Sequence, residues 1–272
     1  MDPDVVSIPL QWRSTVIGVD RDEANLSVRA RTYLTEIGGR HPDMDADGAR
    51  AIWLHALAVC YSGVWGAENG DAIRTGFPRV PLPVSVDRLR KSAELGAKLA
   101  ALLDPDVPVS GVSTGSIRNE LRGIGVISRS GGGTLDPSKG DLALTAAWGF
   151  AGREGATMAG KGKIITSASP KLPPELGVQA HDVYLNGVAY WSNVPERVWD
   201  FTIGGYQVIK KWLSYREQPL LGRDLRMDEA DYVTEMARRI SAIILLSDAL
   251  DENYLESKTD AWPWPAPDNP DS

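Results

Sequence analysis

Apolar residues recur at helical spacing in three segments of the chain. The stretch from Asp47 to Tyr61 is strongly apolar, and Ser85 to Leu103 repeats Leu, Val and Ala close to the period of an α-helix. A third segment, Asp228 to Leu246, carries an apolar stripe, and Asp228 is its predicted N-cap. The stripe consists of Ala230, Val233, Ala237, Ile240 and Ile244. The pattern predicts three long helices.

The middle of the chain has a different pattern, in which short β-leaning runs are separated by glycine and small polar residues. The candidate strands are Val107 to Val112, Ile124 to Ser128, Leu142 to Trp148, Lys163 to Ser167 and His181 to Tyr190. A short turn at Glu196 to Phe201 and a helix at Tyr206 to Arg216 follow them. We therefore expect an α+β fold with a helical N-terminal part, a central, mostly antiparallel β region and C-terminal helices.

Proline-rich stretches predict the division of the chain into parts. Gly76 to Pro83, with the sequence GFPRVPLP, cannot form a regular helix and favours an extended connector. The last stretch, AWPWPAPDNPDS, is acidic and rich in proline, which predicts a loosely ordered tail. We expect a helical segment at 1–83, an α+β domain at 84–256 and a flexible tail at 257–272.

Charge and cysteine content narrow the class of protein. The formal net charge is −7. Residues 105–217 nevertheless carry 12 basic and 10 acidic side chains, whereas residues 218–272 carry 5 and 12. A small local positive excess on an acidic protein is compatible with steering a phosphate backbone to one side, and equally with an ordinary solvated surface. The single cysteine, Cys60, excludes an internal disulfide. With no signal peptide or transmembrane pattern, we expect a soluble, cytoplasmic protein that does not enter a membrane.

Aromatic residues are concentrated between Tyr184 and Glu217. This stretch holds eight of the chain's twenty Phe, Trp and Tyr residues and places two glycines and two lysines beside them. Aromatic rings offer stacking surfaces, lysines neutralise phosphate, and Asn and Gln can read base edges. In a helix at Tyr206 to Arg216, one side would present the polar residues Gln207, Lys210, Lys211 and Ser214. The composition predicts a nucleic-acid-binding surface, although a solvated helix face and buried tryptophans explain much of it equally well.

Catalytic and metal-binding patterns are weak by comparison. Gly111 to Gly115, GVSTG, has the spacing of a serine-hydrolase nucleophile elbow, and Ser113, Asp141 and His181 follow the matching order. The surrounding pattern lacks the alternating strands and helices of that fold, so we treat the hydrolase as a weak alternative. The three histidines lie far apart, and neither a P-loop nor a dinucleotide-binding glycine motif is present. We expect no catalytic residue, no metal site and no cofactor.

Two segments carry a resemblance to a known family. Tyr184 to Glu217, YLNGVAYWSNVPERVWDFTIGGYQVIKKWLSYRE, followed by LGRDLRMDEADYVTEMARRISAIILL, resembles the C-terminal specificity region of Type ISP restriction-modification enzymes. AIWLHALAVCYSGVW, GFPRVPLP and SAELGAKLAALL are similar to the stretch that joins the adenine methyltransferase module to that region. The similarity covers most of residues 47–256, and IGGYQ and KWL are its most distinctive elements.

The resemblance implies recognition of a double-stranded DNA target in restriction-modification or phage defence. The sequence lacks the adenine-methylation, cofactor, Walker and nuclease motifs of the full-length enzymes, so those reactions cannot be assigned to it. The chain would be a standalone specificity protein, a remnant, or a piece that works with a separate methyltransferase or helicase-nuclease subunit. The alternative is a protein-interaction subunit that docks through Glu229 to Leu246.

Roles for the candidate DNA-binding residues follow from their chemistry. For contacts to phosphate we predict Lys210, Lys211 and Arg216, and for base edges Gln207, Asn186 and Asn193. For stacking or packing we predict Tyr184, Tyr190 and Tyr206, and for close backbone approach Gly204 and Gly205.

Overall fold

The computed structural model describes residues 9–13, 22–76 and 78–264. Its strands are β1 Gln11–Arg13, β2 Asp22–Ala24, β3 Val126–Arg129, β4 Gly149–Ala151, β5 Thr157–Ala159, β6 Ile164–Ala168, β7 Gln179–Tyr184, β8 Ala189–Pro195, β9 Thr202–Ile203 and β10 Tyr206–Gln207. Its helices are α1 Val28–Glu36, α2 Ala46–Cys60, α3 Gly63–Glu68, α4 Gly70–Thr75, α5 Val86–Leu103, α6 Asn119–Arg122, α7 Glu196–Trp199, α8 Val208–Ser214, α9 Gln218–Leu221, α10 Met227–Ile244 and α11 Ser247–Thr259. All described strand pairs are antiparallel, which confirms the expected α+β class.

Internal contacts divide the chain into two compact units. The first unit comprises Met1–Ala100 and Ser247–Ser272, and the second comprises Ala101–Leu246. The division into 1–83, 84–256 and 257–272 stays a prediction, and residues 265–272 of the predicted tail lie outside the described residues. No helix in the described part of the chain is long and apolar enough to cross a membrane.

The first unit is helical, as predicted. Tyr33, Leu34, Ala51 and Leu89 form the centre of its core. Gly96 brings α5 against α2, because a Cβ at that position would lie 1.9 Å from the carbonyl oxygen of Leu54. The predicted helices at Asp47 to Tyr61 and Ser85 to Leu103 are confirmed as α2 and α5.

The second unit is built on a four-stranded sheet with the order β3-β8-β7-β6. Helix α10 covers one face, where the Trp191 ring is fully buried and its Nε1–H donates to the Ala230 carbonyl at 3.0 Å. The prediction of one strand from His181 to Tyr190 is wrong, because the chain reverses after Tyr184 and returns as β8. The reversal places Tyr190 opposite Tyr184.

Two other predicted strands are loops. In the segment Leu142 to Trp148, the side chains of Leu142, Leu144 and Trp148 are buried, but the backbone pairs with several separate loops instead of one strand. The Leu142 carbonyl accepts from Leu225, and the Leu144 carbonyl accepts from Gln218. The segment Val107 to Val112 is likewise irregular. The Val109 carbonyl accepts from the N–H groups of Val112, Ser113 and Thr114 in a turn, and the Val107 carbonyl accepts from the buried Arg239 guanidinium.

The predicted helix at Tyr206 to Arg216 begins two residues later than expected. Gly204 and Gly205 have φ values of +58° and +81°, which is the backbone that a two-residue hairpin turn requires. Tyr206 and Gln207 therefore pair with Ile203 and Thr202 as strand β10. Helix α8 then runs only from Val208 to Ser214.

The third predicted helix is confirmed as α10, but Asp228 is not its N-cap. Arg226 precedes the helix, and its backbone N–H donates to the Glu229 carboxylate at 2.9 Å. Glu229 also accepts two hydrogen bonds from Arg223 at 2.7 and 2.8 Å, and these hold the pKa of Glu229 down at about 2. Asp228 lies in the first turn.

Candidate nucleic-acid interface

The sheet of the second unit has an open face opposite α10, marked by Ser128, Tyr184, Tyr190 and Ser192, all half-buried. The rings of Tyr184 and Tyr190 stack at 5.1 Å between centroids, with 23° between their planes. Lys163 Nζ lies 4.2 Å from the centre of the Tyr184 ring. Burial, and then the Asp182 carboxylate, raise the pKa of Tyr184, so the phenol stays protonated at neutral pH. The open face thus presents two stacked rings with a cation over one of them.

A second cation lies between two rings at helix α8. Lys211 Nζ is 4.3 Å from the centre of the Tyr206 ring and 4.8 Å from that of Tyr215. Both tyrosines are exposed, at 59% and 46% of their surface. Lys210, the adjacent residue, is half-buried. Helix α8 therefore holds a lysine against aromatic surface at the edge of solvent, and the rings limit the conformations that its side chain can adopt.

A third cation lies on a tryptophan at the end of α8. The Arg216 guanidinium carbon is 4.0 Å from the centre of the Trp212 ring, which in turn packs at 5.8 Å on Tyr232. Burial lowers the pKa of Arg216 from its ordinary value, but an arginine remains charged at neutral pH. Trp212 is half-buried.

Trp148 joins the strand that carries Tyr184 to the segment that follows α8. Its Nε1–H donates to the Tyr184 carbonyl at 2.7 Å, and its backbone N–H donates to the Glu217 carboxylate at 2.5 Å. Glu217 directly follows Arg216 and is buried, which raises the pKa of its carboxyl group. The Trp148 ring also meets Trp199 edge-on at 5.1 Å. One buried residue therefore ties the end of β7 to the end of α8.

Gln207 and the glycine pair lie at the hairpin that precedes α8. Gln207 Nε2 donates to Asp200 Oδ1 at 3.0 Å and to the Trp199 carbonyl at 3.4 Å, and this orients the amide. Gly204 and Gly205 are exposed, and a Cβ on either would meet no atom within 4 Å. The positive φ values of the turn require glycine at both positions, and the tip of the hairpin therefore carries no side chain.

Asn186 and Asn193 hold backbone in place. Asn186 Nδ2 donates to the carbonyls of Asp141 and Ala143 at 2.9 and 2.8 Å, while its Oδ1 accepts from the N–H groups of Val188 and Ala189. These bonds close the turn between β7 and β8. Asn193 Oδ1 accepts from Ser169 Oγ at 2.7 Å, and its Nδ2 donates to the Gly123 carbonyl at 3.2 Å.

The structure thus sorts the predicted residues into groups. It brings Tyr184 together with Tyr190, and Lys211 together with Tyr206, whereas Arg216 lies on Trp212. Sequence analysis missed Lys163, Tyr215, Trp148 and Glu217. Tyr215 and Glu217 lay in the aromatic stretch that was singled out, but no sequence pattern connects Lys163 or Trp148 to it.

The hydrolase residues have unrelated partners. Ser113 Oγ accepts from the Val109 N–H at 2.9 Å, His181 Nδ1 lies 2.9 Å from Thr166 Oγ1, and Asp141 pairs with Arg129. The segment at Ser113 is a turn rather than a strand-to-helix elbow, so the structure does not support a nucleophile there. Within residues 9–13, 22–76 and 78–264, no group of three or more His, Cys, Asp or Glu side chains could hold a metal ion.

The proposed docking helix is already occupied by this chain. Ala230, Val233, Ala237, Ile240 and Ile244 of α10 are all buried. The apolar stripe that would contact a partner therefore forms part of the chain's own core, and a partner would have to use another surface.

Comparison with known proteins places these features in one family. Residues 22–242 match the sequence profile of the Type ISP C-terminal specificity domain. No curated protein matches the chain significantly. A cryo-EM structure of a DrdV–DNA complex aligns over 86% of this chain with a TM-score of 0.45 and 15% sequence identity. The chain corresponds to only 20% of the length of that structure's chain.

Proposed function

Since the chain belongs to the Type ISP C-terminal specificity domain family, we propose that it recognises a specific sequence in double-stranded DNA for a restriction-modification system. One observation carries the proposal. Lys163, Lys211 and Arg216 each lie on an aromatic ring of the same unit, in a protein whose net charge is −7. An acidic protein that binds DNA needs locally positive surface, and Trp148 links the strand that carries Tyr184 to Glu217, the neighbour of Arg216.

The three cations are suited to contact phosphates. A lysine or arginine that lies on a ring has fewer conformations to lose when it binds a phosphate, and its charge stays at the surface. Lys210, the neighbour of Lys211 in α8, adds a further positive charge. The exposed tip at Gly204 and Gly205 leaves backbone N–H groups accessible to a phosphate oxygen. These contacts would set the register of the protein on the duplex without selecting a sequence.

Base reading requires side chains with paired donors and acceptors. Gln207 is our first candidate, because an amide can bind the N6 and N7 atoms of adenine, and Asp200 already orients it. Asn186 and Asn193 are weaker candidates, since their amide groups are engaged with the backbone. Tyr184 and Tyr206 lie beneath Lys163 and Lys211, and Tyr190 stacks on Tyr184.

We further propose that catalysis lies outside this chain. The expected methylation, ATP hydrolysis and cleavage would come from a methyltransferase or a helicase-nuclease subunit that works with it in the cytoplasm. Residues 84–256, which contain the three cations, would be the recognition region, and 1–83 would connect it to the catalytic modules.

Selection from a duplex library with a randomised central region tests DNA recognition directly. Purified protein is mixed with the library at low ionic strength, bound duplexes are recovered by gel shift, and the enriched sequence is then bound at increasing salt. We expect one enriched sequence and an affinity that falls steeply with salt. Absence of any salt-sensitive binding would remove DNA recognition from this chain acting alone. Affinity purification of the tagged protein then identifies a subunit: a stoichiometric partner without a DNA footprint would favour the interaction module.

A further inference from the structure

The β4–β5 hairpin carries an exposed apolar pair that the recognition surface described above does not use. Phe150 on β4 is opposite Met158 on β5, so the two side chains leave the ribbon on the same face. Phe150 is 53% exposed and Met158 is 49% exposed. Two large apolar side chains side by side on one face of a ribbon are costly in water, and such a pair is typical of a contact surface.

The base of this hairpin is rigid. At its start, a Cβ on Gly149 would lie 1.8 Å from the Ser214 carbonyl of α8, so the backbones touch. At its end, the Gly160 N–H donates to the Trp148 carbonyl at 2.8 Å. Gly162 then lies directly on the Trp148 ring, where a Cβ would come within 2.0 Å of a ring carbon. The ribbon is therefore anchored to α8 and to Trp148, the residue that binds Tyr184 and Glu217.

The hairpin and the segment after it are basic. Residues 149–171 contain four basic side chains, Arg153, Lys161, Lys163 and Lys171, and one acidic side chain, Glu154. Arg153 and Glu154 lie in the turn at the tip. The charge of this segment complements a phosphate backbone, whereas the chain as a whole carries −7. The positive charge of this segment thus favours a nucleic acid as the partner that contacts Phe150 and Met158.

The dimensions of a two-stranded ribbon select the groove. Neighbouring strands lie about 4.8 Å apart, and a two-stranded β-ribbon fits into the B-DNA major groove, which is about 12 Å wide. The minor groove, at about 6 Å, is too narrow for it. The apolar group that the major groove presents is the C5-methyl of thymine.

We propose that the β4–β5 hairpin enters the major groove and that Phe150 and Met158 contact thymine methyl groups of the target. The inference rests on the proposed DNA recognition and adds an element of specificity to it. Arg153, at the tip, and Lys161 and Lys163, after β5, would contact the phosphates on the two sides of the groove.

Replacing thymine by deoxyuridine tests the contact, because it removes the methyl group and nothing else. Each thymine of the library-selected duplex is replaced in turn, and affinity is measured by fluorescence anisotropy. With the wild-type protein we expect a loss of about fourfold at one or two positions, the effect of one buried methyl group. With the double variant Phe150→Ala, Met158→Ala, deoxyuridine at those positions should no longer change the affinity.

Matched variants keep the test decisive. Phe150→Leu retains an apolar side chain and should keep the thymine preference, and Val178→Ala, at a residue 73% exposed elsewhere in the unit, should behave as wild type. Circular dichroism establishes that each variant is folded. The inference is overturned, while DNA recognition stands, if deoxyuridine lowers the affinity at no thymine of the selected duplex. It is likewise overturned if the double variant loses as much affinity as the wild type when thymine is replaced by deoxyuridine. In that case the apolar pair faces a protein. Failure of the wild type to select any duplex instead refutes the proposed function itself.

Discussion

Removal of the three ring-supported cations should change the salt dependence of DNA binding by a calculable amount. The perturbation is the triple variant Lys163→Met, Lys211→Met, Arg216→Met. Methionine keeps an unbranched apolar side chain against each ring, so packing is preserved while three positive charges are lost. The rings beneath these side chains, such as that of Tyr184 at 4.2 Å from Lys163 Nζ, should still be covered.

The magnitude follows from counterion release. Each phosphate neutralised on B-DNA contributes about −0.9 to the slope of log K against log salt concentration. If each of the three cations contacts one phosphate, the triple variant should have a slope smaller by about 2.7, and each single variant by about 0.9. Between 50 and 200 mM salt, the part of the affinity loss due to these residues is then about 40-fold.

The assay is fluorescence anisotropy on the library-selected duplex at several KCl concentrations. Lys98→Met, an exposed lysine of the first unit, is the control and should leave the slope unchanged. The triple variant and the three single variants should weaken binding to unrelated duplexes as much as to the selected one, because phosphate contacts carry no sequence information. A triple variant with the wild-type slope would refute the assignment of these cations to phosphate, even if its affinity had fallen.

Three further predictions concern stability, measured by urea denaturation. Glu229→Gln should lower the unfolding free energy by about 2–3 kcal/mol at pH 7, because the pKa of the Glu229 carboxyl falls from 4.5 to about 2 on folding. This stabilisation is present above pH 4.5 and is lost as the pH falls, so the difference between variant and wild type should be less than half as large at about pH 3. An equal difference at both pH values would contradict this. Gly162→Ala should lower the unfolding free energy by about 2–4 kcal/mol, because its φ is +67° and the Trp148 ring occupies the place of the added Cβ. The control Gly155→Ala, with φ of +81° and open space around the Cβ, should lower it by only about 1–2 kcal/mol. Equal losses would show that the contact with the ring is unimportant. Asn186→Ala should lower the unfolding free energy by about 2–3 kcal/mol, because it leaves backbone carbonyl and N–H groups of the β7–β8 turn unpaired. It should also speed amide hydrogen exchange at this turn, and unchanged exchange would show that Asn186 does not hold the turn.

Long helices were predictable because their signal is local. The apolar periods of α2, α5 and α10 need no partner to be recognised, and they place each helix within two residues of its observed ends. Short β segments were less predictable. Leu142 to Trp148 has the composition of a strand but is a loop, because its carbonyls accept hydrogen bonds from Gln218 and Leu225, both distant in sequence.

The candidate site shows the same division. The aromatic stretch located Tyr184, Tyr190, Tyr206, Lys211 and Arg216, because stacking rings and cations are recognisable as residue types. The helical spacing misplaced the start of α8, because it does not report the backbone pairing of Tyr206 and Gln207 in the hairpin at the two glycines.

Local sequence was sufficient to establish the α+β class, the principal helices, the family resemblance and the segment that carries the candidate cations. Tertiary structure alone decided that Lys163 lies over Tyr184 and that Trp148, 69 residues from Glu217, ties the open face to α8. It also decided that Asn186 closes a turn and that Phe150 and Met158 are left in solvent. The physical reason is that helical periodicity depends on residues three and four apart, whereas burial and hydrogen-bond partners depend on which distant segments the fold brings together.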